Sequence, residues 1–131
     1  MKANELMIGD WVRLRHRNSD GEEIVKDFQV TEIRTHLGPD DYYIGGEIGN
    51  MGKINDIEPL PLTPEILEKN GWDPITYKIE GAEKVHCRPM VVAKDYVVFE
   101  VSCGWGAYPV VFVHQLQHLL RLFEIDKEIE L

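Results

Sequence analysis

The chain has 131 residues, 44% of them hydrophobic and 28% charged, enough to bury a core without a disulfide or a structural metal. Its 14 basic residues stand against 23 acidic ones, for a net charge of −9, and that excess opposes non-specific attraction to phosphate backbones and anionic lipid. The opening MKANELMIGDW has no apolar leader core, and no run approaches the ~18 apolar residues of a membrane helix; a cytoplasmic protein with a protein partner and no membrane contact is expected.

In chain order, IGDWVRLRHR opens with a turn at Gly9-Asp10 and then alternates. Val12 and Leu14 share one side, while Trp11, Arg13 and Arg15 share the other. NSDG at 18–21 is turn chemistry, and IVKDFQVTEI returns as a second strand with Phe28 and Val30 on one face. GPDD at 38–41 punctuates, and the glycines of YYIGGEIG predict a short or bent strand. Short, turn-bounded strands over 1–60 predict a small SH3-like β barrel or meander.

PLPLTPEILEKNGW, residues 59–72, carries a short helix over 64–70. Thr63 caps its first amides, Pro64 fits the first helical position, and Glu65 complements the positive end of the dipole. Leu62 and Leu67 stand at staple spacing. Gly71 supplies a left-handed stop, and Trp72 covers the last turn. Three strands follow in ITYKIEG, VHCRPMVVAK and DYVVFEVS. The third is apolar on both sides and is expected to be central, whereas Pro89 marks an edge or a bulge in the second. CGWGAYP reads as a loop, 111–123 as an amphipathic helix that packs the strands, and the acidic tail EIDKEIEL as a fraying end. The fold class is therefore α+β, with a β unit over 1–60 and a second unit over 61–131 that together make one compact folding unit.

The final helix holds His114 and His118 four residues apart, the spacing of a zinc-protease helix. The glutamate that would act as general base there is replaced by Gln115, which cannot accept a proton from a metal-bound water. On a helical wheel Phe112, Leu116, Leu119, Leu120 and Phe123 form the apolar face, and His114, His118 and Arg121 fall opposite it. The histidines are thus expected to look outward, as a partner-facing stripe with loose metal binding as the weaker alternative. His86, Cys87 and Cys103 lack the spacing of a zinc knuckle, and both cysteines read as reduced thiols. Thiol catalysis by Cys103 with His114 lacks its surrounding motif, so no catalytic residue and no cofactor is assigned.

RLRHR at 13–17 offers a cationic stripe, with Arg13, Arg15 and Arg17 beside a stacking Trp11. Asp20, Glu22, Glu23 and Asp27 stand across the hairpin, where cross-strand pairing would neutralise it. The glycines of GGEIGNMG match no phosphate-binding pattern and read as turns or bulges. Trp105, between two glycines, is a candidate loop anchor for an interface.

Three stretches together, NELMIGDWV, IEPLPLTPEILEKNGW and VVFVHQLQHLLRLF, resemble a family of short proteins of Bacteroides-type gut bacteria and their prophages and mobile elements. The resemblance spans nearly the whole chain. It rests on Asn4-Glu5-Leu6, Ile8-Gly9-Asp10, Pro61-Leu62-Thr63, Gly71-Trp72 and Val113-His114-Gln115-Leu116-Gln117. The family pattern does not demand a histidine at His118. The resemblance implies a genomic setting and a recurring order of motifs, but no reaction. With no reactive constellation in the sequence, the expected function is a non-catalytic binding or adaptor module of a mobile element. His114, Gln115, Gln117, His118 and Trp105 are its candidate contacts, and Gln115 and Gln117, which flank the apolar face on the wheel, alternatively reach neighbouring backbone groups to dock the helix. The rival readings are a nucleic-acid-associated small barrel using Trp11, Arg13, Arg15 and Arg17, and a metal-binding protein using His114 and His118.

Overall fold

The computed structural model describes residues 1–35, 41–47, 49–104 and 106–131. It is a mixed α+β chain with antiparallel sheets, divided into two compact units, Met1–Leu60 and Pro61–Leu131. Most of the turn read at 38–41 and all of Trp105 lie outside the described residues. Among the described residues no helix is long and apolar enough to cross a membrane.

In the first unit, β1 (Trp11–Arg17) pairs along its whole length with β2 (Glu23–Gln29). The predicted hairpin forms around Asn18, whose side chain accepts the amides of Asp20 and Glu22. β3 (Glu32–Thr35), β4 (Tyr42–Gly45) and β5 (Met51–Lys53) make a second sheet, and β6 (Ile57–Pro59) returns to the free side of β1. These are two three-stranded sheets, β2-β1-β6 and β3-β4-β5, with no strand pair joining them among the described residues. Of the expected barrel or meander, no closed barrel forms among the described residues, where β4 pairs with β3 and β5. Both sheets still feed one core of Val12, Leu14, Phe28, Val30, Ile44, Ile54 and Ile57, and the alternation of Val12 and Leu14 on a buried face is as read.

Two of the glycines read as turns or bulges are also sites of close packing. A Cβ on Gly46 would lie 2.4 Å from Phe28 Cδ2, and one on Gly52 would lie 2.4 Å from Leu14 Cδ1. Only hydrogen fits where core side chains approach the backbone so closely. Asp10, in the opening turn, is fully buried and accepts the Met7 amide at 2.8 Å through Oδ2.

The second unit begins with α1 (Pro64–Lys69), capped by Thr63, whose Oγ1 accepts the Ile66 amide at 3.2 Å. Gly71 takes φ 88°, and the Trp72 amide reaches back to the Leu67 carbonyl at 3.0 Å, closing the helix as its sequence predicts. Trp72 is buried, donates its indole N–H to the Cys87 carbonyl at 2.8 Å and meets Phe99 edge-on at 6.1 Å. One indole thus ties the helix exit to the sheet.

That sheet has the order β10-β9-β8-β7, built from β7 (Lys78–Ile79), β8 (Ala82–Val92), β9 (Val97–Cys103) and β10 (Gly106–Val110). β9 is central, as its two apolar sides require, and Pro89 adjoins a register shift between Pro89 and Val91. Two expectations fail here. Residues 75–77 do not begin a strand: the Asp73 carboxylate accepts the Ile75 amide and the Thr76 hydroxyl, and Tyr77 takes φ 63°, which turns the chain. Residues 106–110 are an edge strand rather than loop, since Gly106 to Val110 pair with Cys103 to Phe99 and leave Pro109 on the outer edge.

α2 spans Val113–Leu122. Beyond it the acidic tail does not fray. Asn70 donates from Nδ2 to the Ile66 and Glu130 carbonyls, each at 2.7 Å, and accepts the Glu130 amide at 2.7 Å, while Ile129 is buried. A half-apolar alternation, Ile125, Lys127, Ile129, gave the tail a side to bury, which its charge obscured. Replacing Asn70 by Ala is expected to lower stability by about 2 kcal/mol, since a buried amide loses partners on two segments at once. Urea unfolding would measure the loss, and limited proteolysis would show residues 125–131 becoming the first cleaved segment.

Candidate functional site

The site is built on α2 and the strand that feeds it. β10 ends at Val110 and α2 starts at Val113, so two residues turn the chain from strand to helix. Gln115 governs that turn. Its Oε1 accepts the Val111 amide at 2.8 Å and the Phe112 amide at 3.0 Å, satisfying donors that the helix itself leaves open. The residue that stands where a protease would carry its glutamate is a capping residue.

This clamp sets the rotation of the helix, and the rotation differs from the wheel. Val113, His114, Leu116, Gln117 and Leu120 are buried. His114 therefore faces inward, not outward, with 6% of its surface exposed. Its ring stacks on Phe112 at 6.0 Å and meets the ring of His118 edge-on at 5.4 Å. The apolar residues left over are Leu119, half-buried, and Leu122, which is 69% exposed. A wheel assumes that the most apolar arc turns inward; here a two-residue linker and its cap decide instead.

The turned-out residues line a shallow groove of about 310 Å³ with Tyr108, Pro109, Gln115, His118, Leu119 and Leu122 on its walls. Tyr108 leans on Phe123 at 5.9 Å, which holds one wall. Of the predicted contacts, Gln115 and His118 border this groove, His114 and Gln117 are buried, and Trp105 lies outside the described residues. Tyr108, Pro109, Leu119 and Leu122 were not singled out from sequence: Tyr108 and Pro109 read as loop, Leu119 read as part of the apolar helix face, and Leu122 was assigned to neither face.

As for metal chemistry, among the described residues no three His, Cys, Asp or Glu side chains are grouped to hold an ion. Cys87 and Cys103 are free thiols. Burial pushes the Cys87 thiol up to about 12, so its nucleophilic form is scarce at neutral pH.

The basic strand is drawn into ion pairs. Arg13 sits across from Asp27 on β2 and Glu58 on β6, and binds Asp27 through two hydrogen bonds of 2.8 and 3.1 Å. Arg15 reaches Glu23 at 2.8 Å and Glu58 at 2.9 Å. The hydrogen bond from Arg15 holds the Glu23 carboxyl below its ordinary range. Arg17 donates to the Gly21 carbonyl at 3.0 Å. Trp11 borders a cleft of about 220 Å³ with Asp27, Gln29, Glu47 and Asn50, and so shares it with carboxylates rather than with cations. Compared with protein-family models, curated proteins and solved structures, the chain matches none.

Gln115→Ala is expected to cost about 1 kcal/mol by freeing two amides, while Gln115→Glu keeps stability because a carboxylate accepts the same donors at the positive helix end. Thermal unfolding of both variants, with and without zinc, checks this; zinc is expected to leave each melting temperature unchanged. For the basic strand, the wild-type chain is expected to give no shift on short DNA or RNA at low salt. The combined variant Glu23→Gln, Asp27→Asn, Glu58→Gln, which releases Arg13 and Arg15, is expected to give a shift that salt abolishes.

Proposed function

We propose that this chain is a non-catalytic protein-binding or adaptor module, acting in the cytoplasm and linked to a phage or mobile element. The observation that carries the reading is the groove between β10 and α2, where Leu122 stands exposed beside Tyr108, Pro109 and Leu119. An exposed apolar strip with polar groups at its rim suits a protein ligand more than a substrate. Gln115 and His118 supply that rim. The net charge of −9 favours a partner segment with apolar side chains flanked by lysine or arginine.

The genomic setting rests on the order of the Asn4-Glu5-Leu6, Pro61-Leu62-Thr63 and Val113-His114-Gln115 motifs. Within the same proposal the first unit is read as an SH3-like open barrel, a reading supported by two three-stranded sheets on a common core.

The test is capture of partners by the tagged chain from its native host, with and without nuclease, followed by mass spectrometry. A specific protein is expected to survive nuclease and to be lost with Leu122→Lys, which alters an exposed position and leaves the melting temperature unchanged. Recovery of material that disappears with nuclease would instead favour the face of Trp11, Arg13, Arg15 and Arg17.

A further inference from the structure

A cavity of about 480 Å³ lies wholly within the first unit, where three segments meet. They are the 3-10 turn Ala3–Glu5 with the residues before it, the start of β4 at Tyr42, and the 3-10 turn Ile54–Asp56. Its volume falls within the roughly 300–1,000 Å³ of ordinary small-molecule sites, whereas the cleft beside Trp11, at about 220 Å³, falls below it. The turns that wall it close on their own backbones. The Glu5 amide reaches the Lys2 carbonyl and the Leu6 amide the Ala3 carbonyl, each at 3.1 Å, and the Ile57 amide returns to Ile54.

The lining divides into two kinds of residue. Ile54 is part of the core, and Met1, Ala3 and Tyr42 pack against it, so the apolar side of the cavity is held in place by the fold. Lys2, Asn4 and Asn55 are exposed and supply the polar side. Among the described residues the side chains of Lys2, Asn4, Tyr42 and Asn55 make no hydrogen bond or ion pair within the protein, which leaves their polar groups available to a ligand. Of the 23 acidic residues in the chain, none lines this cavity.

These residue types limit the ligand. One lysine with no carboxylate beside it in a concave wall attracts a single anionic group, while a strand of many phosphates is opposed by the net charge of −9. Each asparagine offers a donor and an acceptor side by side, the pattern that pairs with the edge of a heterocyclic base. Tyr42 adds an aromatic ring to an apolar wall, which suits a flat body. We propose that this cavity binds a nucleoside monophosphate, with the phosphate at Lys2 and the base at Asn4, Tyr42 and Asn55. The site shares no residue with the groove between β10 and α2.

The test is titration of the nitrogen-labelled full chain with the common ribonucleoside monophosphates, followed by NMR of its backbone and side-chain amides. Saturable shifts are expected at Lys2, Asn4, Tyr42, Ile54 and Asn55 with at least one of these nucleotides. Lys2→Gln is expected to weaken that nucleotide about tenfold and to leave the matching nucleoside unchanged. The Lys2 side chain caps nothing in its turn, so the amide spectrum elsewhere is expected to keep its wild-type pattern. Asn55→Ala is expected to weaken nucleotide and nucleoside alike, by about tenfold. Absence of saturation by any nucleotide up to about 10 mM overturns the proposal, as do shifts that map away from these residues. Inorganic phosphate that reproduces the same shifts at the same concentration also overturns it, leaving an adventitious ion only, and so does a Lys2→Gln chain that binds the nucleotide as the wild type does.

Discussion

The acceptor oxygen of Gln115 decides which face of the last helix the second unit buries. A strand that passes into a helix within two residues has little freedom to choose its rotation, and the donors of Val111 and Phe112 must be satisfied somewhere. By accepting both, Gln115 fixes the entry. His114 and Gln117 then turn inward and Leu119 and Leu122 turn toward solvent, against their own hydropathies. The groove beside β10 is a product of that constraint. The buried face thus holds two polar side chains beside Val113, Leu116 and Leu120, while Leu122 stays exposed, an arrangement that costs stability in an isolated chain.

Electrostatics works differently in the first unit. Antiparallel register sets Arg13 between Asp27 and Glu58, and diagonal neighbours bring Glu23 and Glu58 to Arg15. Each arginine is bound by carboxylates of adjacent strands, so phosphate would have to compete with them. These pairs lie at the surface, where each adds little to stability. Their effect is on specificity, because they turn a basic stretch of sequence into a mixed-charge face.

What the sequence made legible follows the range of the interactions. The capped helix after Thr63, the Gly71 stop, the β1–β2 hairpin and the central place of β9 all depend on residues close in the chain or on a simple alternation. The turn-or-bulge reading of Gly46 and Gly52 left out their close contact with Phe28 and Leu14, many residues away. The tail was misread because its anchor, Asn70, lies sixty positions before Glu130. The helix face was misread because the wheel weighs hydropathy and omits the two-residue entry. Of the candidate site, Gln115 and His118 were found, Gln115 both as a candidate contact and as a side chain able to reach neighbouring backbone, which its cap at Val111 and Phe112 bears out; the strand that supplies Tyr108 and Pro109 was read as loop.

The end of β8, where Met90, Val91 and Val92 are exposed, and the α2 groove share one feature: apolar side chains remain outside in a chain rich in acid. Net negative charge keeps two such molecules apart at long range, within about a Debye length of 8–10 Å at ordinary salt, while apolar contact acts only once surfaces meet. Contact is therefore favoured where acidic side chains are few, and none lines the α2 groove. The groove also carries two polar side chains, Gln115 and His118, among its apolar ones. Under the proposed reading, that combination suits recognition of one particular segment more than general adhesion.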